Sequence, residues 1–369
     1  MEPDLPPRPL GLYIHIPWCI SRCAYCVFFS ETFSRPAFDE YLLQLQREKN
    51  LYRDCIQREL SSVYFGGGTP SLLSAAQINT ILEGLPLAVN AEISLEVNPL
   101  QVNEAFVNDL LLSPVNRISL GIQSLDDTEL SWLTRKHKAA DIPHKIQLLK
   151  EAGYTNISGD FMYGLPQSKV KDVQANLDRM LQLELTHLSC YLLEIHERGP
   201  LAGWISKLPK DSTLAKQYDT ICRMATEAGF QQYEISNFAR PGYQSRHNLL
   251  YWKSDDYLAW GASAAGHFQG IRYMNPASLE EYYGCLTAGD LFPNADQGIH
   301  EEMDYIMMRL RLREGLCFSE FKARFGHSFG RNKIVAKLQA LGMILVFEDG
   351  IRLSDKALFI SNSVIGELL

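Results

Sequence analysis

Three cysteines stand close together in "WCISRCAYCVFF" (18–29): Cys19, Cys23 and Cys26, spaced C-x₃-C-x₂-C. Three thiols are one short of a closed tetrahedral zinc site and one too many for a disulfide. A zinc reading needs a second Cys/His pair at close spacing, and the sequence offers none; His15 is near, but its place within a strand argues against it as a fourth ligand. A C-x₂-C redox pair made of Cys23 and Cys26 leaves Cys19 unexplained. An iron–sulfur cluster takes thiolates readily, and three of them leave one iron of a cubane open to a further ligand. The other five cysteines, Cys55, Cys190, Cys222, Cys285 and Cys317, are isolated and read as small hydrophobes.

With an aromatic, Tyr25, directly before the last cysteine, the triad resembles the signature of the radical S-adenosylmethionine (SAM) superfamily. Other motifs follow in the order that superfamily requires. "GGGTPS" (66–71) comes directly after a β-rich run, where glycines permit positive φ and close backbone approach. In the superfamily the equivalent loop holds the methionine end of SAM, which singles out Gly67, Gly68 and Thr69. Glu96 in "LEVNP", Gln123 in "GIQS", Arg135 in "TRKH" and Asp160 in "ISGDFMYG" are polar residues at or near apolar strands. Taken singly, the charged ones read as surface or structural salt bridges. As a set they match what SAM presents: hydroxyls for Gln123 and Asp160, a carboxylate for Arg135, an amino group or ribose for Glu96. An acidic residue inside an apolar strand also demands a partner.

These residues need a scaffold that brings strand ends together. Period-two runs at 11–16, 61–68, 92–98, 116–124, 156–164 and 187–195 read as strands, the first placing Tyr13 and His15 on one face. Helical patterns run from Phe38 to about Ile56 and over 74–85, 138–152 and 169–184. Strand–helix alternation with apolar strands predicts a parallel sheet covered by helices. Pattern alone leaves an open barrel and a doubly wound sheet as alternatives. The alternation breaks after about residue 236. Residues 237–298 read as irregular structure with short strands. From 299 onward, helices at about 300–313, 317–325 and 330–341, then a hairpin over 343–353 turning at Asp349-Gly350 and a last helix, predict a small winged-helix-like domain.

The chain of 369 residues is 46% hydrophobic and 21% charged, with a net charge of −8, which suits a globular protein with a large core. Nothing global points to nucleic acid or an anionic membrane surface. Over 300–369, ten Lys/Arg stand against nine Asp/Glu, and the modest basic stripe between Arg309 and Lys337 reads as a solvated helical face rather than a DNA contact. No run approaches the length of a membrane span, and "MEPDLPPRPL" lacks the order of a signal peptide, so the expected compartment is the cytoplasm.

Nearly the whole chain, through "LYIHIPWC", "YFGGGTPS", "EVNP", "RISLGIQS", "DFMYGLP" and "YEISNFARPGYQSRHNLLYW", resembles the oxygen-independent coproporphyrinogen III oxidase family, and within it the HemW-type heme chaperones. The resemblance implies a partial (β/α)₆ TIM-like radical SAM barrel over 1–236, an extension over 237–298 and a winged-helix-like domain over 299–369. It implies a 4Fe–4S cluster on Cys19, Cys23 and Cys26, with Tyr13 and Tyr25 lining the SAM site. Decarboxylating oxidases carry a further cysteine where this chain has Phe28. Chaperones carry H-N-x-x-Y-W, here "HNLLYW" (247–252), which makes His247 the candidate axial ligand for heme iron and Tyr251 and Trp252 candidate porphyrin contacts. The chain departs from the family at Val27, where Asp is usual, and at "AWGASAAGHF" (259–268).

The expected function is that of a heme chaperone binding a 4Fe–4S cluster, SAM and heme and serving heme-accepting proteins; a homodimer is compatible with the chain. The alternative is a radical enzyme converting coproporphyrinogen III to protoporphyrinogen IX. A zinc-dependent winged-helix regulator is a third reading.

Overall fold

A computed structural model describes residues 8–197, 199–296 and 300–369. The first seven residues, the start of "MEPDLPPRPL", lie outside that range.

Six parallel strands run in sequence order around the centre of one sheet. They are β1 (Leu10–Ile16), β2 (Leu60–Gly67), β3 (Leu87–Val97), β4 (Arg117–Gln123), β5 (Ile157–Tyr163) and β6 (His187–Leu192). A doubly wound sheet reverses its strand order midway; here each strand pairs with the next, as in a barrel. The barrel is partial because the edge of β6 is taken by an antiparallel strand, β7 (Asn237–Ala239), rather than by β1. On the other side β1 pairs in parallel with β8 (Asp256–Trp260), and an antiparallel pair, β9 (Ala265–Phe268) and β10 (Ile271–Met274), finishes the sheet.

The helices covering this sheet are α1 (Arg35–Leu51), α2 (Ala75–Leu82), α3 (Glu104–Leu110), the short α4 (Asp127–Trp132), α5 (Ile142–Glu151), α6 (Val170–Leu181) and α7 (Asp211–Glu227). Alternation along the strands sends Leu12, Ile14, Val63, Phe65, Leu95, Ile118 and Leu120 into one apolar core with Phe38, Tyr41 and Leu45 of α1. Local signals set the boundaries: Ser74 accepts from the Gln77 backbone and Gln77 returns to the Ser74 backbone, a capping box that opens α2. The amphipathic run expected to reach Ile56 ends as helix at Leu51, and Arg53–Cys55 tightens into a 3₁₀ turn.

The extension is more regular than its composition suggested. "HNLLYW" is helical, within α8 (Arg246–Lys253), capped by Ser245, and α9 (Leu279–Ala288) follows the hairpin. Glu48 of α1, 1% exposed, ties these parts together: it accepts from Gly261 N (2.7 Å), Asn275 Nδ2 (2.8 Å) and Tyr282 Oη (2.5 Å). Burial pushes its carboxyl up to about 7.

The C-terminal part comprises α10 (Glu301–Arg309), α11 (Phe318–Phe325), α12 (Asn332–Ala340) and a hairpin of β11 (Ile344–Phe347) and β12 (Gly350–Leu353). Phe347 pairs with Gly350, so the hairpin turns at Glu348–Asp349, one residue before the expected place. Arg309, Arg313, Arg324, Arg331 and Lys337 of the basic stripe each face a carboxylate. Among the described residues no helix is long and apolar enough to cross a membrane.

Candidate functional site

Strand alternation turns a second set of side chains into the barrel, and this set is polar. Ser62, Ser94, Ser119, Ser158 and Ser189 come one from each of β2 to β6 at neighbouring registers. Above them, toward the carboxyl ends of the strands, lie Tyr13, Tyr64, Glu96 and Asp160. Glu96 accepts from Tyr64 Oη (3.0 Å) and from the backbone of Gly67 (3.1 Å), and Asp160 accepts from Ser119 (3.1 Å). Burial is the main cause that pushes Glu96 up to about 7 and Asp160 up to about 6; the Asp160 charge raises Glu96 further. Two buried carboxyls at one mouth favour a cationic ligand, which would stabilise their charged forms. The hydroxyl of Ser94, fully buried, has no partner among the described residues, and so offers another hydrogen bond to the lumen.

The loop after β1 carries the three cysteines over this mouth. Its two stems pair as short parallel strands, Trp18–Cys19 with Glu31–Thr32. Ala24 N donates to Thr134 Oγ1 (3.0 Å), and Cys26 N donates to Cys23 O (3.1 Å). The Phe29 carbonyl can only accept, so His15 Nε2 carries the proton there (3.1 Å), and Tyr13 Oη must donate to His15 Nδ1 (3.0 Å). Burial lowers the imidazole to about 4, which keeps it neutral. His15 is thus a brace for the loop.

Glycines bring the second loop against the first. Gly67 has φ of +115°, and a Cβ there would stand 2.8–2.9 Å from the His15 ring; at Gly68 it would stand 2.8 Å from the Pro17 carbonyl carbon. Thr69 Oγ1 donates to Cys19 Sγ (3.6 Å), and Arg135 Nη1 points at Cys23 Sγ (3.5 Å) while its Nη2 donates to Gly121 O (2.7 Å). Gln123, in the left-handed region at φ of +68°, brings its amide beside the same Gly121.

The structure therefore gathers Cys19, Cys23, Cys26, Tyr13, Gly67, Gly68, Thr69, Glu96, Gln123, Arg135 and Asp160 around one mouth. Among the described residues no three His, Cys, Asp or Glu side chains converge on a single metal ion, which does not suit tetrahedral zinc. A cubane takes one thiolate per iron, and three thiols on one loop with donors aimed at two of them fit that group. Tyr25 and Cys26 also border a mostly apolar cavity of about 360 Å³.

The HNLLYW residues lie elsewhere. His247 is fully buried beneath the serine layer: Nδ1 pairs with Ser62 Oγ (2.9 Å) and Nε2 with Tyr251 Oη (2.8 Å). Its ring stacks on Tyr64 at 5.3 Å between centroids, and burial holds it down near 3. Both ring nitrogens carry hydrogen bonds in this structure. Tyr251 is likewise spent on His247, and Trp252 lies under Arg311.

Sequence reading missed the floor of the barrel. Glu92 accepts from His247 N (3.2 Å) and lies 3.7 Å from Arg117, both buried; His187 sits between Ser158 and Tyr233. The available signal was alternation: Glu92 and Arg117 have the parity of Ser94 and Ser119.

Comparison with known proteins agrees with this geometry. Residues 13–180 match the radical SAM superfamily model and residues 300–360 the HemN C-terminal domain model. The heme chaperone HemW of Lactococcus lactis is 31% identical over 98% of both chains, and that of Escherichia coli 35% identical over 86% of both. Among solved structures, the radical SAM enzyme coproporphyrinogen III oxidase (HemN) of Escherichia coli superimposes with a TM-score of 0.84 over 99% of this chain and 91% of its own, at 23% identity; that likeness concerns the fold alone.

Proposed function

The chain belongs to the HemW family of the radical SAM superfamily, and from that premise we propose that it is a heme chaperone, which takes up heme and passes it to heme-requiring acceptor proteins in the cytoplasm. The observation that carries the reading is the mouth itself: three cysteines over a polar barrel end, followed by the exposed Phe28 in place of a further thiol.

In this reading Cys19, Cys23 and Cys26 hold a 4Fe–4S cluster, with Thr69 and Arg135 donating toward their sulfurs. Such a cluster, when bound, supplies low-potential electron chemistry and one open iron position. The remaining residues bind and orient. Gly67 and Gly68 would let backbone approach the methionine end of SAM, and Arg135 would supply the cation for its carboxylate. Glu96 and Asp160 supply negative charge for its cationic groups, with Gln123, Tyr13 and Tyr25 completing the walls. Deprotonated Glu96 is favoured by a cation beside it, so SAM and hydroxide act in the same direction on that carboxyl. His15 holds the loop in place through the Phe29 carbonyl.

The test is an anaerobic assay of the cluster-loaded chain with SAM, reductant and coproporphyrinogen III, run beside a heme titration. Saturable heme binding without decarboxylation is the expected result. Conversion of the porphyrinogen overturns the chaperone reading in favour of the oxidase.

A further inference from the structure

Glu96 stands where opposing influences meet. Burial and the Asp160 charge favour its neutral form, and two donors favour its carboxylate: Tyr64 Oη on one oxygen (3.0 Å) and the Gly67 backbone on the other (3.1 Å). The Gly67 donor is backbone and comes with the loop. The Tyr64 donor is a side-chain choice, since phenylalanine would fill the same place on β2 without it.

The phenol is also fixed in direction. Its ring stacks on Tyr13, with 6.1 Å between centroids and 23° between planes, and on His247 at 5.3 Å and 26°. Gly66 leaves room for the pair of tyrosines: a Cβ there would stand 2.8 Å from the Tyr13 ring and 3.1 Å from the Tyr64 ring. A ring packed against two others presents its hydroxyl to Glu96 already oriented.

The other titratable groups acting on or beside Glu96 are Asp160 on β5, Tyr13 on β1 and Tyr251 on α8. Burial raises Tyr13, Tyr64 and Tyr251 well above the ordinary phenol value, so all three stay neutral. Arg135, Arg117 and the hydroxyls of Ser119 and Ser189 favour the charged form of Asp160, and Tyr191 stands near it. Asp160 is thus the charge that opposes ionisation of Glu96, and Tyr64 is the side chain that supports it.

We propose that Tyr64 is a positioning residue for the cationic end of SAM, holding the Glu96 carboxylate as its anchor. This rests on the SAM-binding part of the reading above. Without the phenol oxygen, neutral Glu96 becomes more favourable in the empty site, and a cation must displace a proton as it binds. That penalty exists only where the carboxyl is protonated, and it vanishes once pH alone has ionised the group.

The experiment is equilibrium binding of SAM to the cluster-loaded chain from pH 6 to pH 9, for wild type and for Tyr64→Phe, which keeps the stacked ring. Circular dichroism and iron and sulfide content verify that both are folded and loaded. Comparing the two proteins at each pH cancels titration of the ligand itself. Glu96 and Asp160 titrate as a pair, so the readout is the affinity ratio across pH and not the midpoint of either group. Tyr64→Phe should bind about three- to tenfold more weakly at pH 6, and the two curves should converge toward pH 9. A ratio that stays constant with pH would make Tyr64 a packing or direct-contact residue, and equal affinities throughout would make it a bystander. Either result overturns the assignment and leaves SAM binding intact. Absence of saturable SAM binding by wild type overturns the SAM reading together with it.

Discussion

The imidazole of His15, on the first strand of the barrel, donates to the carbonyl of Phe29, at the far end of the cysteine loop, across 3.1 Å. One hydrogen bond therefore couples the inner wall of the barrel to a loop whose sulfur geometry must be fixed for a cluster to form. Removing it in His15→Ala leaves the thiols in place but frees the loop. Outer partners of metal ligands are typically worth about tenfold or more in metal retention. The expected outcome is a protein that folds, loads iron and sulfide, and loses them in air about tenfold faster than wild type. Equal rates of cluster loss, followed by bleaching of visible absorption, would contradict this role.

Gly67→Ala should be harder to tolerate than its small volume suggests. The residue sits at φ of +115°, and the new methyl would meet the His15 ring at 2.8–2.9 Å. Backbone strain of this kind costs about 1–3 kcal/mol. Urea unfolding should show that loss. The double variant with His15→Ala should recover only part of it, since the steric component disappears and the strained dihedral does not.

The buried Glu48 makes a prediction about pH. Its folded-state value, pushed up to about 7, lies above the ordinary value of 4.5, so the folded chain binds more protons than the unfolded one between those limits. Stability from this group is therefore greatest below about 4.5 and is lost as pH rises through about 7, a change of roughly 3 kcal/mol at most. Glu48→Gln should flatten that part of the stability curve measured by denaturant titration from pH 5 to 8. A parallel curve for the variant would assign the slope to other groups.

His247→Ala should lower stability. The substitution leaves Ser62 and Tyr251 without partners inside the barrel and opens a void, which together cost about 2–4 kcal/mol. Urea unfolding of wild type and variant measures that loss, and an unchanged midpoint would contradict it.

The parts of this architecture that rest on short-range regularity were readable in advance. Alternation in "GLYIHI" placed Tyr13 and His15 on one face, and they do meet inside the barrel. The glycines after β2 announced a close approach, and the close approach is to Pro17 and His15. The choice between a barrel and a doubly wound sheet was not readable, because it depends on which strands become neighbours, a long-range property. His247 shows the same limit from the other side. Its neighbours in sequence are aromatic and suggest a ligand surface, whereas Ser62, its partner in space, is 185 positions away.

The C-terminal helices attach to the barrel at the amino ends of its strands. Arg313 N donates to the Tyr233 carbonyl, Lys253 faces Glu314, and Arg324 reaches the Ser254 carbonyl just before β8 begins. The cysteine loop crowns the opposite end. The molecule is thus polarised along the barrel axis, with its added mass at one pole and its chemistry at the other. A carrier built this way can present its loaded pole to a client of any size without a steric quarrel with its own tail.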